Sequence, residues 1–386
     1  MLNGTQTVLS SKNDFLTLPP LALQVLLKRV SIDEIPSSAD LLSRRDLDEQ
    51  ISALGEPPPS VIVAGDIMLG GRARKAVTEF GPDYPFDGVL PLLRRAPIVL
   101  GNLEGPLAEK ARKQQRNFSY RVDASLAGSL SRAGINVVTL ANNHLQDCGP
   151  SGVLETLDAL SNANVFALGA GTNERTAHEP VILQAGAMRI GLLGYYWNRR
   201  TAATADRPGS AMDPPEFLEA NIRGLRKYTD RIVVTFHWGV PYEREPSPED
   251  RAKAYFAVRC GADAVVGHHP HIVQPFEIYR GCPIFYSVGN FAFGSGNSRA
   301  EGLLIGLRFE DHKTVVNVYP LYVKNRDPRV NYQPKVLAGN AAERVLTAMA
   351  RISGDSAAFL KLQNGRGHIE LSRPYGSREA TRGGHD

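Results

Sequence analysis

SVIVAGDIMLGG, residues 60–71, is the stretch on which the fold turns. A short apolar, β-branched run leads into Gly-Asp and closes on a glycine pair, which is how a buried strand delivers a polar side chain to its carboxyl end. The same grammar recurs in IVLGNLEG (98–105), INVVTLANNH (135–144), RIGLLGYY (189–196), RIVVTFHWG (231–239), ADAVVGHHPH (262–271) and PIFYSVGNF (283–291). Most of these runs stop in a cluster of Asn, Asp, Glu or His. Helical spacing fills the gaps at 124–133, 151–163, 214–227 and 248–260, so strand and helix alternate and the chain reads as α/β. The short connection at Gly281, Cys282 and Pro283 predicts a hairpin, which makes the sheet mixed or doubled.

Outward from this core, residues 1–56 read as an N-terminal helical extension. It has two helical stretches, LALQVLLKRV (21–30) and Ser37 to Leu54, with Ser38 or Asp40 as the expected N-cap of the second and three prolines at 57–59 as its end. The catalytic domain is expected over 57–330. A C-terminal segment, 331–386, ends in the polar, Gly/Arg-rich tail GSREATRGGHD, expected to be flexible. The apolar patch Leu16 to Leu27 is broken by Thr17, Pro19, Pro20 and Gln24, too short to cross a bilayer, and reads as a helix docked on the main domain. Among 386 residues, 44 Lys and Arg face 40 Asp and Glu, a net of +4 without a basic block, which argues against a nucleic-acid partner. Three well-separated cysteines supply neither a disulfide framework nor a four-cysteine zinc site, so a reducing, cytoplasmic location is expected, with no membrane partner.

Five of the nine histidines, His144, His237, His268, His269 and His271, fall at the ends of expected strands. Asp66, Asn102, Glu104, Asn142, Asn143, Asp147 and Asn290 add oxygen donors from the same kind of position. Imidazole with carboxylate or amide oxygen is ordinary ligand chemistry for divalent cations, and converging strand ends would gather the set into one pocket. In His269-Pro270-His271, period-two alternation along an extended segment would place both imidazoles on one side, with Pro270 on the other and His268 pointing away from the pair.

GDIMLGGR (65–72), GNLEGPL (101–107), NFSYRVD (117–123), VVTLANNHLQDCG (137–149), HWGVPYEREPSPEDR (237–251) and GADAVVGHHPHIVQPFEIYRGCPIFYSVGNFAFG (261–294) together resemble the CapA family, named for poly-γ-glutamate capsule synthesis. The resemblance spans about residues 60–310. It implies a calcineurin-like metallophosphoesterase fold, with layered mixed β-sheets flanked by helices and the active site at the strand ends. It also implies metal ligands at Asp66, Asn102, Asn143, His237, His269 and His271, with His144 as proton donor. Two positions depart from the wider phosphoesterase pattern. Met68 stands where a histidine ligand is expected, and Asn102 replaces the carboxylate that would bridge two metals, with Glu104 as the nearest acid. Two close divalent cations repel strongly without a bridging anion, so one divalent ion (Ca, Mn, Mg or Zn) is expected rather than two.

Soluble members of this family resemble peptide epimerases of ribosomal-peptide pathways, lasso peptides among them. That resemblance implies a precursor peptide as substrate and partner, and inversion of an α-carbon by paired acid and base. His144 with Glu104 or Asp147, and a late histidine such as His269 with Asp66, are the candidate His/carboxylate pairs. Capsule or poly-γ-glutamate work and phosphoester hydrolysis are the alternatives. Tyr195, Tyr196, Trp197, Trp238 and Tyr242 are placed beside the pocket, with Trp238 and Tyr242 as candidate groove residues. Arg121 is the preferred anion binder, with Arg72, Arg199 and Arg200 also available.

Overall fold

The repeated strand grammar becomes two stacked sheets in the computed structural model, which describes residues 35–115, 118–296 and 301–372. The first sheet runs, in spatial order, Lys361–Gln363, Arg366–Ser372, Lys313–Tyr322, Glu301–Phe309, Val61–Met68, Ile98–Leu103, Val137–Thr139 and Phe166–Leu168. Asn290–Phe293 also pairs with Val61–Met68, and Lys335–Val336 with Lys313–Tyr322. The second runs Phe276–Tyr279, Cys282–Phe285, Ala264–His268, Arg231–His237, Met188–Tyr196 and Val181–Ala185. The central strands of both sheets are parallel, so their polar carboxyl ends emerge together. The expected hairpin is present, with Tyr279 opposite Cys282.

Alternation along each strand fills three layers. Val61, Val63, Ile98, Leu100 and Val137 face Ile190, Leu192, Val233 and Val266 across the space between the sheets. Ile62, Ala64, Val99 and Val138 turn the other way and meet Leu130, Val153 and Leu160. Behind the second sheet, Val234 and Val265 pack on Leu218, Ile222 and Ala257 of the helices Pro215–Arg226 and Pro248–Cys260. The result is the layered, mixed α/β architecture the sequence predicts. At about 1.5–3 kcal/mol for each fully buried Val, Leu or Ile, this alternation pins strand register, since a one-residue slip would turn Asp66 out of the strand-end basin.

One backbone approach depends on a glycine. Val61–Met68 is flanked by Ile98–Leu103 and Asn290–Phe293, with register shifts on both sides around Asp66. A Cβ on Gly65 would run into the Gly289 carbonyl oxygen. The close pass lets Asp66 pair in register with both Asn102 and Asn290.

The extension differs from its expected form. Instead of one helix over 37–54 there is a 3-10 turn, Ser38–Asp40, a break, and then a helix, Arg44–Ala53. Its N-cap is Ser43, not Ser38 or Asp40: Ser43 Oγ accepts from the Asp46 N–H at 3.2 Å, and the Asp46 carboxylate reaches back to the Ser43 N–H at 3.2 Å, a reciprocal capping box. The stretch LALQVLLKRV and the tail after Ser372 lie outside the described residues. The segment from 331 onward is woven into the first sheet through Lys335–Val336 and Arg366–Ser372, and its helix Gly339–Ile352 packs on the inter-sheet core.

Candidate metal and acid–base site

Parallel pairing sets the site. Asp66 lies beside Asn102 in the first sheet, and His237 beside His268 in the second. Strand Ala264–His268 then ends, and the chain turns with φ of 99° at His269 and 58° at His271. The two imidazoles therefore meet through left-handed turns and not by alternation along an extended segment, which corrects the sequence expectation. Their ring centroids are 5.9 Å apart, and the ring of His269 is 4.5 Å from that of His237. Tyr242, itself at φ 68°, donates its N–H to the Pro270 carbonyl at 2.8 Å and ties the neighbouring loop to this turn. Left-handed conformations at bulky residues cost about 1–3 kcal/mol each and persist where surrounding structure over-determines them.

Asn102 occupies the centre. Its Nδ2 donates to Asp66 Oδ1 at 2.8 Å and to Glu104 Oε1 at 3.0 Å, and it lies 3.3 Å from His237 Nδ1. Its Oδ1 accepts from Asn142 Nδ2 at 3.1 Å. Reversing the amide would put oxygen against two carboxylates, so the chemistry fixes its orientation. Asn102 thus offers the cluster hydrogens, not the ligand oxygen expected of it. His237 donates from Nε2 to Asn143 Oδ1 at 2.9 Å, and burial followed by the neighbouring His269 holds its basicity well below the usual imidazole range.

His144 pairs with Asp147 and not with Glu104: its Nδ1 is 2.8 Å from Asp147 Oδ2. The same carboxylate oxygen accepts the Tyr120 N–H at 2.6 Å, and the Tyr120 ring lies 4.4 Å from the imidazole. With Nδ1 held, Nε2 is the nitrogen of His144 left for proton transfer. The late histidine paired with Asp66 is His271, not His269. Its Nδ1 is 3.0 Å from Asp66 Oδ2 and 2.9 Å from Asn290 Oδ1. His268 does not point away; its Nδ1 is 3.4 Å from Asp66 Oδ1, and it is fully buried. Burial alone would raise the Asp66 carboxyl, but contacts with His268 and His271 hold it well below the usual carboxylate range. Against its own burial, His271 is pushed up to about 9 by the charges of Glu104 and Asp66. Burial, then the charge of Asp66, drives Glu104 well above its ordinary value, and burial beside His271 takes His269 down to about 3.

A divalent cation fits one side of this basin. Glu104 Oε2 and His269 Nδ1 are buried without a hydrogen-bond partner among the described residues. Glu104 Oε2 also lies 3.7 Å from His271 Nε2, and ligand atoms of Glu104, His269 and His271 all fall within 4.8 Å of one another. One anionic oxygen and two imidazoles at that separation are suitable donors for a borderline divalent ion. Sequence reasoning placed Glu104 among the acids rather than the ligands. Met68, where a histidine ligand was expected, is packed in the core with its Sδ 3.2 Å from the Gly70 N–H.

The expected groove residues separate. Trp238 is 1% exposed, stacks on Phe236 at 4.7 Å and donates Nε1–H to the Tyr286 carbonyl at 2.8 Å. It is a core residue and lines no groove, because the strand pleat turns it opposite to His237. Tyr195 and Tyr196 are also buried, whereas Trp197 and Tyr242 are exposed. The Tyr242 ring lies 6.2 Å from that of His271, at the edge of the basin. Arg121 turns away from the site into a separate cavity of about 530 Å³ bordered by Leu69, Arg74, Glu109 and Asp123, while its neighbour Tyr120 takes the inward position. The tyrosine in NFSYRVD was the readable sign of that contact.

Comparison with known proteins supplies the context. The sequence model of the family described as bacterial capsule synthesis protein PGA_cap matches residues 60–295. The chain is 33% identical over 282 residues to the capsule biosynthesis protein CapA of Bacillus anthracis, covering 70% of this chain and 69% of that protein. It is 33% identical over 247 residues to the PGA biosynthesis protein CapA of Bacillus subtilis (strain 168), covering 63% of this chain and 65% of that one. It thus spans about two thirds of the length of each. Among solved structures, a putative 5'-nucleotidase from Staphylococcus aureus aligns with a TM-score of 0.39 and 15% identity, over 72% of this chain and 52% of that chain.

Proposed function

The chain belongs to the PGA_cap family of bacterial capsule synthesis proteins, and from that premise we propose that it is an enzyme acting on an amide-linked chain of the poly-γ-glutamate type by His/carboxylate acid–base chemistry, with one divalent cation. The observation that carries this reading is the His144–Asp147 dyad at 2.8 Å in the same basin as the Glu104, His269 and His271 group. Asp147 holds the Nδ1–H of His144 and fixes the tautomer, which leaves Nε2 as the atom that takes or gives the proton. Glu104, His269 and His271 would hold the cation, which when bound supplies Lewis-acid polarisation of a substrate carbonyl. Asp66, with Asn290, orients His271 through Nδ1, so that its Nε2 faces Glu104.

A second reading is favoured by one specific feature. Two His/carboxylate pairs, His144–Asp147 and His271–Asp66, stand in one basin. Inversion of an α-carbon in a precursor peptide, as in ribosomal or lasso-peptide pathways, needs a base on one face and an acid on the other. A cytoplasmic location goes with either reading. It is supported by three cysteines, none of which forms a disulfide among the described residues. No described helix is long and apolar enough to cross a membrane.

The test is incubation in deuterated water with poly-γ-glutamate oligomers and, separately, precursor peptides, followed by mass spectrometry and chiral amino-acid analysis. Shortened chains or released glutamate, lost in His144→Ala, support the main reading. A one-dalton gain at a single α-carbon with a D-residue replaces it by the second. Phosphate release from phosphoesters with neither change sinks both.

A further inference from the structure

Outside the catalytic basin, the described residues enclose a basic hollow on its flank. It measures about 700 Å³ and is bordered by Arg72, Lys75, Arg326, Phe80 and Tyr332, with Glu79 the one acid on its wall. Arg72 and Lys75 stand three residues apart at the start of the helix Ala73–Phe80, on its neighbouring face, and neither makes an ion pair among the described residues. Like charges at that spacing repel by a few tenths of a kcal/mol, about as much as an opposite pair would gain. The chain otherwise supplies acids freely, pairing Arg44, Arg132, Arg175 and Arg223 with carboxylates. Two cations, Arg72 and Lys75, without an acid partner among the described residues and set on one concave wall, are the electrostatic footprint of an anionic ligand.

The hollow is continuous with the site. Gly71, at φ 57°, lies within a Cβ's reach of the Gly294 carbonyl, and the Arg72 N–H donates to that carbonyl at 3.0 Å. The Arg72 guanidinium lies so close over Gly296 that a side chain there would displace it. The same segment begins with Phe293, whose ring packs 4.7 Å from His271, and Asn325 on the hollow's wall binds the Phe293 and Ser295 carbonyls. One short strip, 293–296, therefore forms the wall of the catalytic basin at one end and the floor beneath Arg72 at the other. Asn331 and Tyr332, on the far wall, are both held at positive φ, 41° and 68°. Adjacent strained residues of this kind recur at ligand clamps.

We infer that this hollow is a second binding site, which holds a run of carboxylates several residues away from the reacting position of the substrate chain. The inference rests on the proposed reading of the site as acting on an amide-linked chain, and it names what that chain must carry: repeated carboxylates, as consecutive glutamates do. Arg72 presents a forked donor that binds a carboxylate bidentately, and Lys75, three residues on, adds a mobile point charge. Phe80, 53% exposed, covers the methylene stems. A short uncharged peptide would reach the His144 basin without using the hollow.

The test is fluorescence anisotropy with an end-labelled poly-γ-glutamate oligomer of about ten residues, titrated with the full-length protein at several salt concentrations. The comparison is between the wild type, the double variant Arg72→Ser/Lys75→Ser, and a control with Arg175→Ser and Lys227→Ser on a remote surface. The double variant should bind at least tenfold more weakly, with a shallower salt dependence, while the control matches wild type. Equal affinity and equal salt slope in wild type and double variant overturn the inference, as does wild-type binding no tighter than to a neutral polyglutamine oligomer. The two proposals fail separately. Oligomer binding that depends on Arg72 and Lys75 without any turnover leaves the hollow standing and removes the catalytic reading. His144-dependent turnover of short chains with no such dependence does the reverse.

Discussion

Replacing Asn102 by Asp tests the arrangement at the centre of the site. The Asn102 amide donates to two buried carboxylates, at 2.8 and 3.0 Å, and an aspartate at this position loses both donors. Hydrogen bonds to charged groups contribute about 1.5–3 kcal/mol each, and three acids within hydrogen-bond reach in a buried basin cannot all ionise. The cluster will therefore take up a proton, which restores one of the two bonds and limits the net cost to about 2–4 kcal/mol. For a chain of this size that corresponds to a fall in melting temperature of roughly 2–5 °C. The sign with pH follows from the proton taken up on folding. An acid whose folded pKa lies above its unfolded value binds protons preferentially in the native state, so the deficit of Asn102→Asp should widen as pH rises above about 4. A divalent cation reverses the effect, since the new carboxylate stands between Asp66 and Glu104 and gains what the amide cannot offer; saturation at a hundred times the dissociation constant adds about 2.7 kcal/mol. Thermal unfolding in chelator and in excess Mn or Zn reads both quantities. A variant that melts within a degree of wild type in chelator would refute the assignment of Asn102 as a donor to two carboxylates.

Other consequences follow from the same geometry. In chelator, the wild-type protein should lose stability as pH rises from 6.5 to about 9, because His271 is protonated in the folded state across that window and neutral in the unfolded chain; denaturant midpoints that stay flat there, or a slope that survives His271→Gln, would contradict the Asp66–His271 pair. His144→Ala and Asp147→Asn should lower turnover by about 10²–10⁴-fold with metal content unchanged, whereas His269→Ala should lower metal content itself, as measured by elemental analysis of dialysed protein. Unchanged metal in the His269 variant removes it from the ligand set. Trp238→Phe should cost about 2–4 kcal/mol of stability, from the lost bond to the Tyr286 carbonyl and the space left in the core, with KM unaltered; a change in KM without loss of stability would return Trp238 to the groove.

Much of the fold was legible because burial and backbone periodicity act locally. The apolar runs from SVIVAGD to ADAVVGHHPH each become a strand, PIFYSVGNF is divided between Cys282–Phe285 and Asn290–Phe293, and the helix Pro248–Cys260 begins and ends where its spacing places it. The capping of Arg44–Ala53 was misread because Ser38, Asp40 and Ser43 are all competent caps, and only the acid three residues past Ser43 satisfies both ends of the box. At the site, the residues were readable but their mutual contacts were not. His269-Pro270-His271 follows a buried strand, and period two is the natural continuation. The left-handed turns at both histidines are held through Pro270, whose carbonyl accepts the Tyr242 N–H and whose ring lies beside Gly239, partners distant in sequence. Trp238 sits next to a candidate ligand, and adjacency in sequence suggested adjacency in the pocket, yet the pleat sends neighbours to opposite faces.

Met68 and Asn102 are best understood together. Around Asp66 the Asn102 amide donates to Oδ1, His271 Nδ1 stands 3.0 Å from Oδ2 and His268 Nδ1 3.4 Å from Oδ1, yet Oδ2 has no hydrogen-bond partner among the described residues. At 68 the thioether packs in the core rather than offering the cluster a nitrogen. Around Glu104 the arrangement is similar: Oε1 is met by the amide, Oε2 has no hydrogen-bond partner among the described residues, and ring nitrogens of His269 and His271 stand within reach. An unpaired buried carboxylate oxygen is costly, and it is tolerated where a proton or a cation completes it. Each of the two acids thus keeps one buried oxygen to be completed by positive charge, protonated His271 beside Asp66 or a cation beside Glu104, and the His144–Asp147 dyad, held by Tyr120 rather than by either acid, stays free to move a proton beside it.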